Sequence, residues 1–242
     1  MRYLAIVSYL GTNYIGWQAQ SNQQGVENVI ENILSRVLNS PINIIGAGRT
    51  DKGVHAYAQS FHFDVDNPIK NLSRFIYSIN RLLPIDIRIK SIKKVVSDFH
   101  ARFFAKRKEY LYKIYTGKMI PFYYSSHMIA YLPININAMR AAAKFFIGKH
   151  NFQNLTSKEV DDKNFIRIID SIKIQKHNDE ILITLKGNSF MRYMVRNIVG
   201  EMVEVATNRK KISDLNSLFS DVRKITNHKA PPEGLYLKRV IY

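Results

Sequence analysis

Apolar residues recur along this chain at two periods, and their alternation lays out its elements. Residues 2–10 alternate as a strand does and run into a loop from Gly11 to Gln18. Val26, Val29, Ile30, Ile33, Leu34, Val37 and Leu38 then fall at helical spacing, and Pro41 ends the pattern. A short strand, 42–45, feeds a glycine-rich turn, 46–53, after which Gln59, Phe61, Phe63 and Val65 alternate with Ala58, Ser60, His62 and Asp64. A second helix is predicted over 72–83, and Pro84 precedes a strand through Ile85, Ile87 and Ile89.

The later half opens on a basic, aromatic strand at 107–115. A helix follows at 137–146, then paired strands at 166–176 and 180–186 around a His177-Asn178-Asp179 turn. Residues 190–206 carry Met191, Met194, Val195, Ile198, Val199, Met202 and Val203 on one broad face. A short helix at 214–219 and a strand at 235–241 close the chain. Helices set against mostly antiparallel sheets define an α+β class. The division expected is 1–105 and 106–242, with no Gly/Ser linker between, so that the halves share a core or one sheet.

Charge changes the picture. Lys and Arg number 36 against 19 Asp and Glu, a net charge of +17, in a chain that is 46% hydrophobic and therefore able to fold. A globular chain this basic is suited to a polyanion, nucleic acid above all, although a solvated basic surface has the same composition. The absence of cysteine excludes disulfides, thiolate catalysis and Cys-ligated zinc. The seven histidines (55, 62, 100, 127, 150, 177 and 228) show no metal-ligand spacing, so neither metal nor cofactor is expected. The apolar N-terminal stretch lacks a cleavage pattern and reads as a strand, and no run reaches the ~18 apolar residues of a membrane span. A cytoplasmic location is the expectation.

The turn Gly46-Ala47-Gly48-Arg49-Thr50-Asp51-Lys52-Gly53 holds the candidate chemistry. It lacks the third glycine of a dinucleotide fingerprint and has no Gly-Lys-Ser/Thr, and a carboxylate there would repel a phosphate. Two readings stand beside each other. Asp51 caps the next segment, or, between Arg49 and Lys52, it is a carboxylate kept ionised for nucleophilic or base chemistry.

The stretch Gly46–Ala56 resembles the signature of the bacterial tRNA pseudouridine synthase A family, and the likeness covers most of the chain. Residues 9–18 resemble the family's N-terminal strand and loop; Phe99-His100-Ala101-Arg102-Phe103 with Tyr110-Leu111-Tyr112 resembles its central segment. Residues 189–200 resemble its late helix, and Ala230-Pro231-Pro232-Glu233-Gly234-Leu235 its C-terminal turn. The resemblance implies a pseudouridine synthase fold with a basic cleft. It further implies isomerisation of uridine at positions 38, 39 and 40 in the anticodon arm of tRNA, and a homodimer. Asp51 would be the catalytic carboxylate, Arg196 its cationic partner and Tyr110 the ring against the target base. Arg49 would help displace the target nucleotide, an extrusion that costs a few kcal/mol of unstacking. Thr50, Lys52, His55, Arg102, Lys108 and Arg192 complete the expected substrate-binding set. Tyr110 has a plain alternative as a half-buried strand aromatic, and Arg192 as a solvated helix residue.

The chain departs from the family pattern at Leu10, at Lys52 and across 151–156, while Asp161-Asp162 reads as a solvated pair. A noncatalytic RNA-binding protein would share the charge and the aromatics; Asp51 and Arg196 distinguish the enzyme. Zinc-dependent deamination is excluded by the missing cysteines, and no cofactor loop for methyl transfer is found.

Overall fold

The structure is a computed structural model describing residues 1–19, 23–118, 120–157, 164–220 and 222–242; the Asp161-Asp162 pair lies outside these. The chain divides into two compact units, one of residues 1–106 with 236–242, the other of residues 107–235. Each sets helices against mostly antiparallel strands, the α+β class expected from the periodicity.

In the first unit, strand β1 (Arg2–Tyr9) is followed by helix α1 (Val26–Leu38), β2 (Ile44–Gly46), β3 (His55–Asp64), α2 (Leu72–Leu82) and β4 (Ile87–Lys94). β1 lies between β3 and β4, antiparallel to both, and β2 pairs with β3. α1 buries Val26, Val29, Ile30 and Leu34, the i, i+3, i+4 face that the sequence marks. Leu4, Ala47, Phe99 and Ala101 form one buried cluster, with Val95, Val240 and Tyr242 packed against it.

In the second unit, β5 (Arg107–Tyr115) pairs antiparallel with β9 (Glu180–Gly187) and parallel with β6 (Met128–Ile129). β8 (Ile166–His177) joins β9 through a turn in which Asn178 takes φ 50°, a left-handed value asparagine tolerates. β7 (Gly148–Asn151) edges β8, and α3 (Ile136–Lys144) packs on α4 (Met194–Ala206). The last strand, β10 (Leu235–Ile241), runs parallel to β3, with Tyr236 opposite His55. The C-terminal residues 236–242 thus belong with the first unit, whereas sequence order had placed them with the second.

Among the described residues no helix is long and apolar enough to cross a membrane.

Candidate active site

Gly25, the N-cap just before helix α1, has no side chain to cap the free N–H groups of the first turn. Backbone carbonyls replace the cap: Val26 N–H donates to Gly16 (3.1 Å) and Glu27 N–H to Trp17 (2.9 Å). Residues 16–17 are thereby fixed on the helix, and they hold the glycine-rich loop in turn. Trp17 N–H donates to the Thr50 carbonyl (3.1 Å), and Gly16 forms an isolated antiparallel bridge with Asp51. Gly16 adopts φ 126°, and a Cβ there would lie 2.4 Å from the Thr50 carbonyl oxygen, so glycine is required twice over.

Further contacts hold the loop from its other sides. The Tyr9 and Thr50 hydroxyls are 2.8 Å apart, Gln59 Nε2 donates to the Gly48 carbonyl (2.8 Å), and Ala47 N–H donates to Ser60 O (2.7 Å). Val54 N–H closes a turn onto the Asp51 carbonyl (3.1 Å), with Gly53 at φ 78°. A net intramolecular hydrogen bond contributes about 1 kcal/mol, so five around eight residues leave this loop little freedom. The Asp51 side chain ends up half-buried, between exposed Arg49 and Lys52.

The residues expected to touch substrate differ in exposure. Thr50 is buried, its hydroxyl engaged with Tyr9. His55 is fully buried; its Nδ1 accepts the Gly11 N–H (2.9 Å), and its ring lies 4.6 Å from that of Tyr236. Both side chains are therefore packed into the fold beside the loop. Arg49, Lys52 and Arg102 are exposed, and the Arg102 guanidinium sits 5.9 Å from the ring of the exposed Phe103. Arg49 also acts on Glu27, whose carboxyl is raised above its usual range chiefly by burial; the Trp17 indole, donating at 2.9 Å, and the Arg49 charge oppose that rise.

In the second unit, Tyr110 lies on β5, buried, its ring edge-on to Phe190 with centroids 5.1 Å apart. Lys108 is half-buried on the same strand. Arg196 is only 7% exposed, yet its Nε donates to the Ala230 carbonyl (2.8 Å). A charge at that depth is costly unless it is paired or hydrogen-bonded. Arg192 is exposed, four residues earlier and half a turn before α4 begins. Tyr112, which the sequence named only as part of a motif, is fully buried and donates to the Pro231 carbonyl (2.7 Å), fixing the 230–234 turn on β5. Burial raises its hydroxyl far above the usual range, against the smaller opposing effect of Arg196. Its role was not visible in the sequence because its partner is a backbone carbonyl more than a hundred residues away.

Set beside known proteins, the chain falls into a class of RNA-modifying enzymes. The profile of the tRNA pseudouridine synthase family matches residues 5–103 and 142–242. A tRNA pseudouridine synthase A of Wigglesworthia glossinidia brevipalpis is 36% identical over 238 residues, spanning 98% of this chain and 90% of that protein. A tRNA pseudouridine synthase A 1 of Protochlamydia amoebophila is 37% identical over 248 residues, 99% of this chain and 96% of the relative. The tRNA pseudouridine synthase A of a Hydrogenobaculum species is 35% identical, spanning 99% of each chain. Among solved structures, a Cbf5-Nop10-Gar1 complex matches with TM-score 0.43 and 9% identity, over 97% of this chain and 57% of that one. The chain belongs to the tRNA pseudouridine synthase family. It is an isomerase acting on uridine in tRNA.

Proposed function

We propose that the chain isomerises the uridines at positions 38, 39 and 40 of the tRNA anticodon arm, with Asp51 as its essential carboxylate. The observation carrying this reading is the loop at 46–54, a rigid mount that presents one half-buried carboxylate between two exposed cations. In the reaction the N1–C1′ bond of uridine breaks and a C5–C1′ bond forms; C5 loses a proton and N1 gains one, so nothing is consumed. Asp51 supplies the negative oxygen, by adding to the nucleoside or by stabilising the freed sugar. Arg49 and Lys52 offset RNA phosphates, and Arg49 fills the space of the extruded nucleotide. Arg102 and Lys108 bind the RNA backbone. The motif resemblance supports Tyr110 as the ring against the uracil and Arg196 as the cation that keeps the carboxylate ionised. The enzyme works in the cytoplasm as a homodimer, without metal or cofactor.

The test is positional. Unmodified tRNA incubated with purified protein and mapped for pseudouridine should show it at 38, 39 or 40 and nowhere else. Modification confined to another arm, or none, rejects the assignment. Arg196→Ala should lose most turnover while Arg192→Ala mainly weakens tRNA binding; equal, mild effects from both would remove the distinction between them.

A further inference from the structure

Three cations converge on one aromatic ring in the second unit. Around the Tyr193 centroid lie Lys229 Nζ at 4.2 Å, Arg192 Cζ at 4.9 Å and Arg196 Cζ at 5.5 Å. Arg196 is buried, whereas Arg192 and Lys229 are exposed. Tyr193 holds φ 65° and ψ −7°, a left-handed conformation that is uncommon and strained for a bulky residue. Such a conformation persists only where the surroundings over-determine it.

Those surroundings are built from well-separated parts of the chain. Ala230 N–H donates to the Arg196 carbonyl (3.1 Å) while Arg196 Nε donates to the Ala230 carbonyl (2.8 Å), a reciprocal pair. At Gly200 a Cβ would lie 2.0 Å from the His228 carbonyl oxygen, so residues 228–230 rest on the α4 backbone itself. This docking sets Lys229 over the ring. The buried Thr156 hydroxyl donates to the Arg192 carbonyl (3.1 Å) and fixes that residue's backbone.

We propose that Arg192 and Lys229, both held against the Tyr193 ring, form a clamp for one phosphate of the RNA backbone, with Tyr193 as its positioning residue. The proposal rests on the reading of RNA as substrate and names a contact within it. Cation–π contacts bias these long side chains toward one geometry before RNA arrives. A planar guanidinium then offers two parallel N–H donors to phosphate oxygens and the ammonium a third.

The test is equilibrium binding of the full chain to unmodified tRNA across a sodium chloride series. Lys229→Ala, an exposed change, should weaken binding several-fold and reduce the slope of log affinity against log salt by about one. Tyr193→Leu should weaken binding comparably, and Tyr193→Phe, which keeps the ring, should bind like wild type. A wild-type affinity and slope for Lys229→Ala overturns the clamp, as does a Tyr193→Phe variant as weak as Tyr193→Leu. Either result, with pseudouridine still formed by the wild-type protein, leaves the proposed function standing; a wild type that makes no pseudouridine fails the function instead.

Discussion

Gly16 shows how much a single position can decide. It bridges to Asp51, accepts the first N–H of α1, and sits in backbone space that any side chain would share with the Thr50 carbonyl at 2.4 Å. Gly16→Ala should cost about 1–3 kcal/mol of stability and lower turnover more than tRNA affinity, measured by thermal unfolding and by steady-state kinetics on tRNA. Wild-type turnover would mean that the bridge does not set the carboxylate. His62 supports the same neighbourhood: its buried Nδ1 accepts the Ala101 N–H (3.1 Å), and Ala101 packs with Ala47 of the loop. Burial, then the Arg2 and His100 charges, push its pKa from 6.5 down to about 4. Between those values the unfolded chain takes up a proton that folded His62 refuses, so stability should fall as pH drops from 6.5 toward 4. His62→Asn should show a shallower decline in pH-dependent unfolding, and an identical decline would clear His62 of the effect. The motif spacing singled out Asp51 as a candidate, but the sequence did not show that Thr50 and His55 are buried. A loop has no period from which side-chain direction can be read.

Elements with a strong period were readable almost to the residue. The α1 stripe and the β8–β9 pair lie where the apolar spacing sets them, because each buries one face on a sheet or helix. The short β6 and β7 were not foreseen, since two to four residues cannot establish a period. The apolar face at 190–206 suggested one unbroken helix, yet α4 starts at Met194 because Tyr193 turns left-handed beneath its cations. Ile85 was assigned to a strand but is 90% exposed, ahead of β4. The approach of residues 228–230 to α4 left only a faint trace in the sequence, a lone glycine in a helix. Gly200→Ala tests it with opposing signs. Helix propensity favours alanine by about 1 kcal/mol, whereas a Cβ 2.0 Å from the His228 carbonyl forces backbone apart. A net loss of roughly 1–3 kcal/mol in denaturant unfolding is expected, and a gain in stability would show that the segment is loosely held.

Over the whole molecule, a charge of +17 sets the terms of encounter with tRNA. Affinity should fall steeply and log-linearly with added salt, because each phosphate neutralised releases counterions. A flat response, read by fluorescence titration, would mean that the basic residues are not an RNA surface. Charge alone serves a binder as well as an enzyme, so composition could narrow the function only to RNA. Under the proposed function, what separates the two is a single carboxylate, Asp51, on a loop pinned from several sides. Asp51→Asn preserves the size of that side chain and removes its charge. Single-turnover pseudouridine formation and tRNA binding should therefore be measured together on this variant. Binding within a few-fold of wild type with turnover abolished is the predicted result; turnover retained at a wild-type rate would contradict the assignment of Asp51.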